Sequence, residues 1–216
     1  MYDWSNQMQR VIQPTIFYLG TPVVLISTRN EDGTTNLAPM SSAWWLDQSC
    51  MLGMSSRSQT VQNLLREREC VLNMPSAQQV AAVDRLARLT GSDPVPPHKQ
   101  VMGYRHEKHK FAVSGLTAQP SDLVAPPRVL ECPIQLEAIV KATHPFGEHD
   151  DHTIAIEVEI IRTHIDEALI VPGTTNHIEP DAWRPLIMSF TEFYGLSDRV
   201  ATSRLAKIYR PASTIA

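Results

Sequence analysis

Residues 21–42 read TPVVLISTRNEDGTTNLAPMSS, and how this stretch is read decides the fold. Pro22 to Thr28 is short, apolar and β-branched, Asn30-Glu31-Asp32-Gly33 supplies a turn ending in Asp-Gly, and Thr34 to Leu37 resumes extended structure. That pattern is a β-hairpin. Its continuation, NLAPMSSAWWLD over residues 36–47, sets a proline, two hydroxyls and two tryptophans where an ordinary strand would alternate apolar with polar. Small residues and one proline let a planar ligand lie close to the backbone, whose N–H and C=O groups can then bond the edges of a heterocycle. Trp44 and Trp45 read more simply as barrel core or dimer interface.

Outward from the hairpin, Ser49 to Met54 predicts another strand. Ser58 is placed to cap a helix to Glu69 with Val61, Leu64 and Leu65 on its apolar face, and Cys70 to Met74 returns as a strand. Ser76 and Gln79 have capping-box spacing and predict a second helix to Leu89, with Gly91 as its left-handed stop. Three prolines in residues 92–97, then Ala125-Pro126-Pro127, bracket an irregular excursion. Leu130 to Lys141 and Thr153 to Ile165 are again strands, and in the second Ile154, Ile156, Val158 and Ile160 alternate with Ala155, Glu157, Glu159 and Ile161. Such alternation marks a half-buried antiparallel sheet. Short strands with inserted helices favour a mainly β, antiparallel barrel over a doubly wound parallel sheet. The 216 residues, 43% of them hydrophobic, suffice for one core, so a single domain over 1–216 is expected.

A formal charge of −4, with basic residues scattered or paired with acids as in Arg66-Glu67-Arg68-Glu69, excludes a phosphate-backbone stripe and so a nucleic-acid partner. Apolar runs such as Val23 to Ile26 are too short to span a bilayer, and MYDWSNQMQR lacks the order of a signal peptide, which points to no membrane and a cytoplasmic protein. Three dispersed cysteines, Cys50, Cys70 and Cys132, suit reduced core thiols rather than a disulfide framework or metal knuckle.

No G-x-G-x-x-G or G-x-x-x-x-G-K occurs, so a phosphorylated ligand needs another device. Met54-Ser55-Ser56-Arg57-Ser58-Gln59-Thr60 offers one, setting hydroxyls and an arginine where a helix begins and its free N–H groups favour an anion; the plainer reading is a capped helix beside a solvated charge. His106-Glu107-Lys108-His109 lacks the spacing of a zinc-protease motif, and His144, His149 and His152 share an acidic loop that reads as solvated, so no metal is expected. No G-x-S-x-G elbow accompanies a histidine, and no catalytic side chain is assigned.

The order of these pieces resembles the flavin reductase-like, FMN-binding split-barrel family. The resemblance rests on Tyr18 to Thr28, Asp32-Gly33, Asn36 to Ser42, Ser55 to Leu64 and Val71 to Met74. It continues with Lys110-Phe111 to Gly115-Leu116-Thr117, Pro126-Pro127-Arg128, Trp183 to Leu186 and Phe193 to Leu196. It implies a homodimeric split β-barrel with FMN at the subunit interface. Asn36, Ala38, Pro39, Met40, Ser41 and Ser42 would line the ring and ribityl chain; Ser55, Ser56, Arg57 and Thr60 would hold the phosphate, with Lys110 as a further phosphate candidate. It also implies an NAD(P)H:flavin reductase using NADH or NADPH, with His177 weighed as a neighbour of the nicotinamide and a flavin-dependent monooxygenase as a candidate recipient of reduced flavin. The alternatives are a flavin-binding electron carrier without a nicotinamide site, a pyridoxamine-phosphate-oxidase-like enzyme, and a barrel that has lost flavin. On this assignment Arg57→Ala weakens FMN and spares riboflavin, and Asn36, at the opposite end of the cofactor, acts additively with it.

Overall fold

In the computed structural model, described over residues 8–147 and 152–209, a short strand β1 (Leu19–Pro22) precedes the expected hairpin of β2 (Val24–Arg29) and β3 (Thr35–Met40). The two are antiparallel, with Thr28 opposite Asn36 and Leu25 opposite Pro39. The turn works as its residues dictate: Gly33 sits at φ +81° and donates its N–H to the Asn30 carbonyl at 2.9 Å, while Asp32 accepts the Thr34 N–H at 3.0 Å.

Along the chain follow β4 (Ala43–Leu46), β5 (Ser49–Ser55), α1 (Gln59–Glu67) and β6 (Glu69–Met74). Next come α2 (Val80–Leu86), β7 (Leu89–Thr90), α3 (Pro97–Val101), β8 (Arg105–His106) and α4 (Lys110–Ser114). The last elements are β9 (Ala118–Gln119), β10 (Arg128–Val129), β11 (Ile134–Pro145), β12 (Thr153–Ile165), β13 (Leu186–Ser189), β14 (Glu192–Gly195) and α5 (Ala206–Tyr209).

Seven strands in the order β3-β2-β6-β11-β12-β5-β4 make one antiparallel sheet. Its two edges, β3 and β4, are consecutive in sequence and joined by Ser41 and Ser42 alone, so the sheet must curl upon itself. Gly53 of β5 donates its N–H to the Ser42 carbonyl of this linker at 2.8 Å, which extends the β4–β5 pairing, but β3 and β4 do not pair, and the barrel stays split. Pro39 lies on the β3 edge, where its missing N–H costs no ladder bond.

The unbroken apolar run of β2 follows from burial on both faces. Val24 and Ile26 point into the barrel with Leu52, Leu72, Ile156 and Val158; Val23 and Leu25 point outward beneath Val83, Leu86, Val129 and Leu186. Cys50, Cys70 and Cys132 are buried free thiols. Burial pushes the Cys50 thiol up to about 12, so it stays protonated at neutral pH. Among the described residues no helix is long and apolar enough to cross a membrane.

The caps behave as read: Ser58 accepts the Val61 N–H at 3.2 Å, and Ser76 and Gln79 form a capping box. Three boundaries differ from expectation. Helix α1 stops two residues earlier, at Glu67, with Arg68 at φ +62° donating to the Leu64 carbonyl, and its Leu65 is exposed while Val61 and Leu64 are buried. Helix α2 ends at Leu86 because Leu89 and Thr90 are drawn into a parallel pair with Arg105 and His106, and Gly91 is no left-handed stop. Strand β11 begins at Ile134, after a turn in which Cys132 donates to the Val129 carbonyl at 3.1 Å.

Residues 92–127 are fastened to the sheet by buried polar groups. Asn73 of β6 accepts the Val129 N–H at 2.7 Å, and Ser27 donates to the Pro127 carbonyl at 2.5 Å. Glu137 of β11, fully buried, accepts the N–H groups of Asp122, Leu123 and Val124 at 2.9, 2.6 and 3.2 Å and lies 2.7 Å from His164 Nε2. Burial by itself raises the Glu137 pKa, but these amides and His164 outweigh it and hold the carboxyl below its ordinary value. Replacing it, Glu137→Gln, should cost about 1–3 kcal/mol in urea unfolding followed by circular dichroism. A carboxyl depressed by folding stabilises above the ordinary glutamate pKa, and that contribution is lost as pH falls through the depressed value, so the gap between wild type and variant should close below about pH 4.

Candidate functional site

Strand β3, the end of β5 and the first turn of α1 converge on a cavity of about 300 Å³. Asn36, Ala38, Pro39 and Met40 form one wall, and Gly53, Met54 and Ser55 a second. Ser58, Gln59 and Thr60 close the end, where the first amides of α1 have no intrahelical partner. Leu86, Ala87, Leu89, Thr90 and Gly91, with Lys99, Tyr104 and Lys110 from the excursion, cover the cavity, and Tyr18 flanks it.

A buried hydrogen-bond chain sets the polarity of the closed end. Asn36 accepts from Lys110 Nζ at 2.8 Å and donates through Nδ2 to Thr60 Oγ1 at 3.0 Å. Its amide orientation is thereby fixed, and the Thr60 hydroxyl, already an acceptor, keeps its own proton for the cavity. Behind them Asn63 donates to Thr28 at 3.0 Å and to Asn30 at 2.8 Å, and Gln59 donates to Asn63 at 2.9 Å, tying α1 to the hairpin turn. Gly91 passes so close that a Cβ would stand 2.7 Å from Asn36 Oδ1 and 2.9 Å from Gln59 Cγ. Its glycine serves close backbone approach, not a helix stop.

The cavity is cationic: two lysines and, among the described residues, no carboxylate line it. Lys110 is 97% buried (3% exposed). Burial first, then the charge of Lys99, draws its pKa down to about 8, opposed by Glu107. Burial lowers the Lys99 pKa as well.

Of the expected ligand residues, Asn36, Ala38, Pro39, Met40, Ser55, Thr60 and Lys110 share this cavity. Ser41 lines a neighbouring hollow with Met188 and Phe193, and Ser42 lies 3.3 Å from the Tyr18 hydroxyl. Ser56 bonds the His152 carbonyl through its N–H at 2.8 Å, and Arg57 is exposed outside the lining. Asn36 and Thr60 are hydrogen-bonded neighbours, so Asn36 does not stand at the end opposite the α1 turn, and the separation expected from the sequence is corrected. Ser58 and Gln59, within the stretch read as an anion device, also line it, whereas sequence reading missed Tyr18, Gly91, Lys99 and Tyr104 as lining. A run of three prolines gave no hint that Lys99 and Tyr104 fold back over the sheet.

A second, polar hollow shares Asn36, Gln59 and Gly91 and adds Asp32, His106, Glu107 and Lys108. His144 pairs with Glu157 at 3.2 Å, His149 lies outside the described residues, and His177 lines a separate hollow beside Arg199. Asp122, Glu137 and His164 cluster as metal ligands do, yet Glu137 is already satisfied by amides and Asp122 is 3.0 Å from Arg162, so the cluster reads as a structural clamp.

Residues 17–196 match the model of the flavin reductase like domain. The chain is 39% identical over 189 residues to an uncharacterised protein, YdfE, of Bacillus subtilis, covering 88% of this chain and 90% of that one. Among solved structures it superposes on flavoredoxin of Desulfovibrio vulgaris (TM-score 0.74, 20% identity, 93% of this chain and all of that one). It also superposes on nitrilotriacetate monooxygenase component B of Bacillus cereus (TM-score 0.69, 18% identity, 85% and 88% of the two chains). A Shewanella frigidimarina split-barrel domain described as a flavin reductase gives a TM-score of 0.68 at 16% identity over 85% of each chain. At these identities the structures attest to the fold, a mainly antiparallel split barrel.

The geometry predicts coupling between Asn36 and Thr60. In urea unfolding of the ligand-free protein, the double variant Asn36→Ala/Thr60→Val should lose less stability than the two single losses added, by roughly 0.5–3 kcal/mol. Strict additivity would mean that the 3.0 Å contact carries no energy.

Proposed function

The chain belongs to the flavin reductase-like family, and on that premise we propose that it is an FMN-binding oxidoreductase that takes hydride from NADH or NADPH, with the cavity between β3, β5 and α1 holding the FMN. The observation that carries this reading is Lys110: an ammonium 97% buried, aimed at a cavity without a carboxylate, with one neutral amide oxygen as its partner. Such a cation asks for an anion, and the donors around it, the Thr60 hydroxyl, Ser58, Ser55 and the first amides of α1, suit the oxygens of a phosphate. Ala38, Pro39 and Gly53 leave room for a flat ring against the backbone, and Asn36 fixes the Lys110 and Thr60 donors in place. Arg57 can reach a phosphate only from the rim, so Arg57→Ala should weaken FMN less than loss of Lys110 does. The bound flavin would supply the redox chemistry. The protein's share is to bind, orient and exclude water, consistent with the lack of an acid–base motif in the sequence.

At about 300 Å³ the cavity lies at the lower end of ligand-binding cavities, and we assign its missing wall to a second copy of the chain. Trp44, Leu46 and Tyr194 support a homodimer by standing exposed, whereas Trp45 and Phe193 are half-buried against the two cores. A flavin-loaded monomer by light scattering at micromolar concentration would overturn this.

Likeness to flavoredoxin favours a second reading, an electron carrier without a nicotinamide site; likeness to a monooxygenase component B favours supply of reduced flavin to a flavin-dependent monooxygenase. Purified protein titrated with FMN should quench flavin fluorescence with one site per chain, and riboflavin should bind more weakly. Steady-state oxidation of NADH or NADPH with FMN should exceed the protein-free rate at least tenfold. Binding without oxidation would leave the carrier; no binding of either flavin would end the proposal.

A further inference from the structure

Lys110 stands in a setting that makes its charge conditional. It sits at the start of α4, pressed between β3 and the turn of α1, and its Nζ donates to Asn36 Oδ1 at 2.8 Å. An ammonium carries three protons, so two further donors face the cavity without a protein acceptor among the described residues. The charges around it do not compensate. From α3 comes Lys99, a like charge lining the same cavity; Tyr104 lines it too; from the segment before α4 comes Glu107, which favours the charged form but already accepts the His109 N–H at 2.7 Å. Helix α2, packed on α4, carries Asp84 and Arg85, and Arg85 is held by the Ser114 carbonyl at the other end of α4. Strand β3 and the first turn of α1 present only neutral Asn36, Gln59 and Thr60.

Resting on the FMN reading above, we propose that the site takes up a proton with its phosphorylated ligand: the Lys110 amine is largely neutral in the free protein at mildly alkaline pH, and the incoming phosphate dianion holds it as the ammonium. One proton passes from solvent to Nζ on binding and returns to solvent on release; nothing is oxidised or reduced. The direction follows from burial, which costs a lone cation its hydration, and from the phosphate, which supplies the missing counter-charge. Burial draws the pKa of Lys110 down to about 8 without ligand, and a bound anion raises it. The charged form, the one that binds phosphate, therefore prevails below that value and is lost above it. A phosphate monoester keeps its second charge only above about pH 6, so affinity should be greatest between these limits. Riboflavin shares the ring and ribityl chain but not the phosphate, and its binding should be indifferent to the proton.

Isothermal titration of the wild-type protein with FMN and riboflavin at pH 7 and pH 9, and at pH 8.5 in buffers of different ionisation enthalpy, tests this. The expected result is a Kd for FMN about tenfold weaker at pH 9 than at pH 7, a riboflavin Kd changed by less than about twofold, and uptake of roughly three-quarters of a proton per FMN at pH 8.5. In Lys110→Met, checked for folding by circular dichroism, FMN binding should weaken at pH 7 and lose both its pH dependence and its proton uptake. An FMN Kd equal at the two pH values, equal losses for riboflavin, or uptake that persists in Lys110→Met would each overturn the proposal. Should Lys110→Met not fold, the wild-type measurements decide alone. Failure of wild type to bind FMN at either pH would instead refute the reading of the cavity as a flavin site.

Discussion

Two residues, Ser41 and Ser42, separate the last strand on one edge of a seven-stranded sheet from the first strand on the other, and the rest of the structure depends on that short tether. A sheet whose edges are consecutive in sequence must curl, and one whose edges are not paired must leave a seam. Near the seam Ala38 and Pro39 of β3 and Gly53 of β5 line one cavity and bring little side chain to fill it. The edge location also makes Pro39 tolerable and leaves aromatic surface uncovered on β4.

The hairpin, the two caps, the long alternating strand β12 and the family likeness were legible because each rests on local rules: turn geometry, helix-end chemistry, period-two burial. The apolar run of β2 misleads nobody once both its faces are seen to be covered. What sequence could not show depends on distant packing. Gly91 looks like a helix stop because glycine often is one, but its reason for being glycine lies in Asn36 and Gln59, more than thirty residues away in the chain. Arg57 stands out by its charge, the more so beside serines, yet the charge buried against Asn36 is Lys110, a weaker candidate from sequence because a lysine's depth cannot be read from its neighbours.

The electrostatic design is consistent. The cavity gathers donors and cations without a carboxylate, while the adjoining hollow, across Gly91, carries Asp32 and Glu107 against Lys108 and His106. Asn36, Gln59 and Gly91 thus stand between two regions of different charge and line both.

The Glu137 clamp gives an irregular segment the permanence of a strand. The amides of Asp122, Leu123 and Val124 belong to no helix or sheet, and by position alone they would exchange with solvent deuterium within seconds. Because each donates to a carboxylate buried in the central strand β11, opening any of them leaves a buried carboxylate short of a partner, which opposes their exchange. In a hydrogen-exchange map these three loop amides would stand out as protected against an otherwise rapidly exchanging loop.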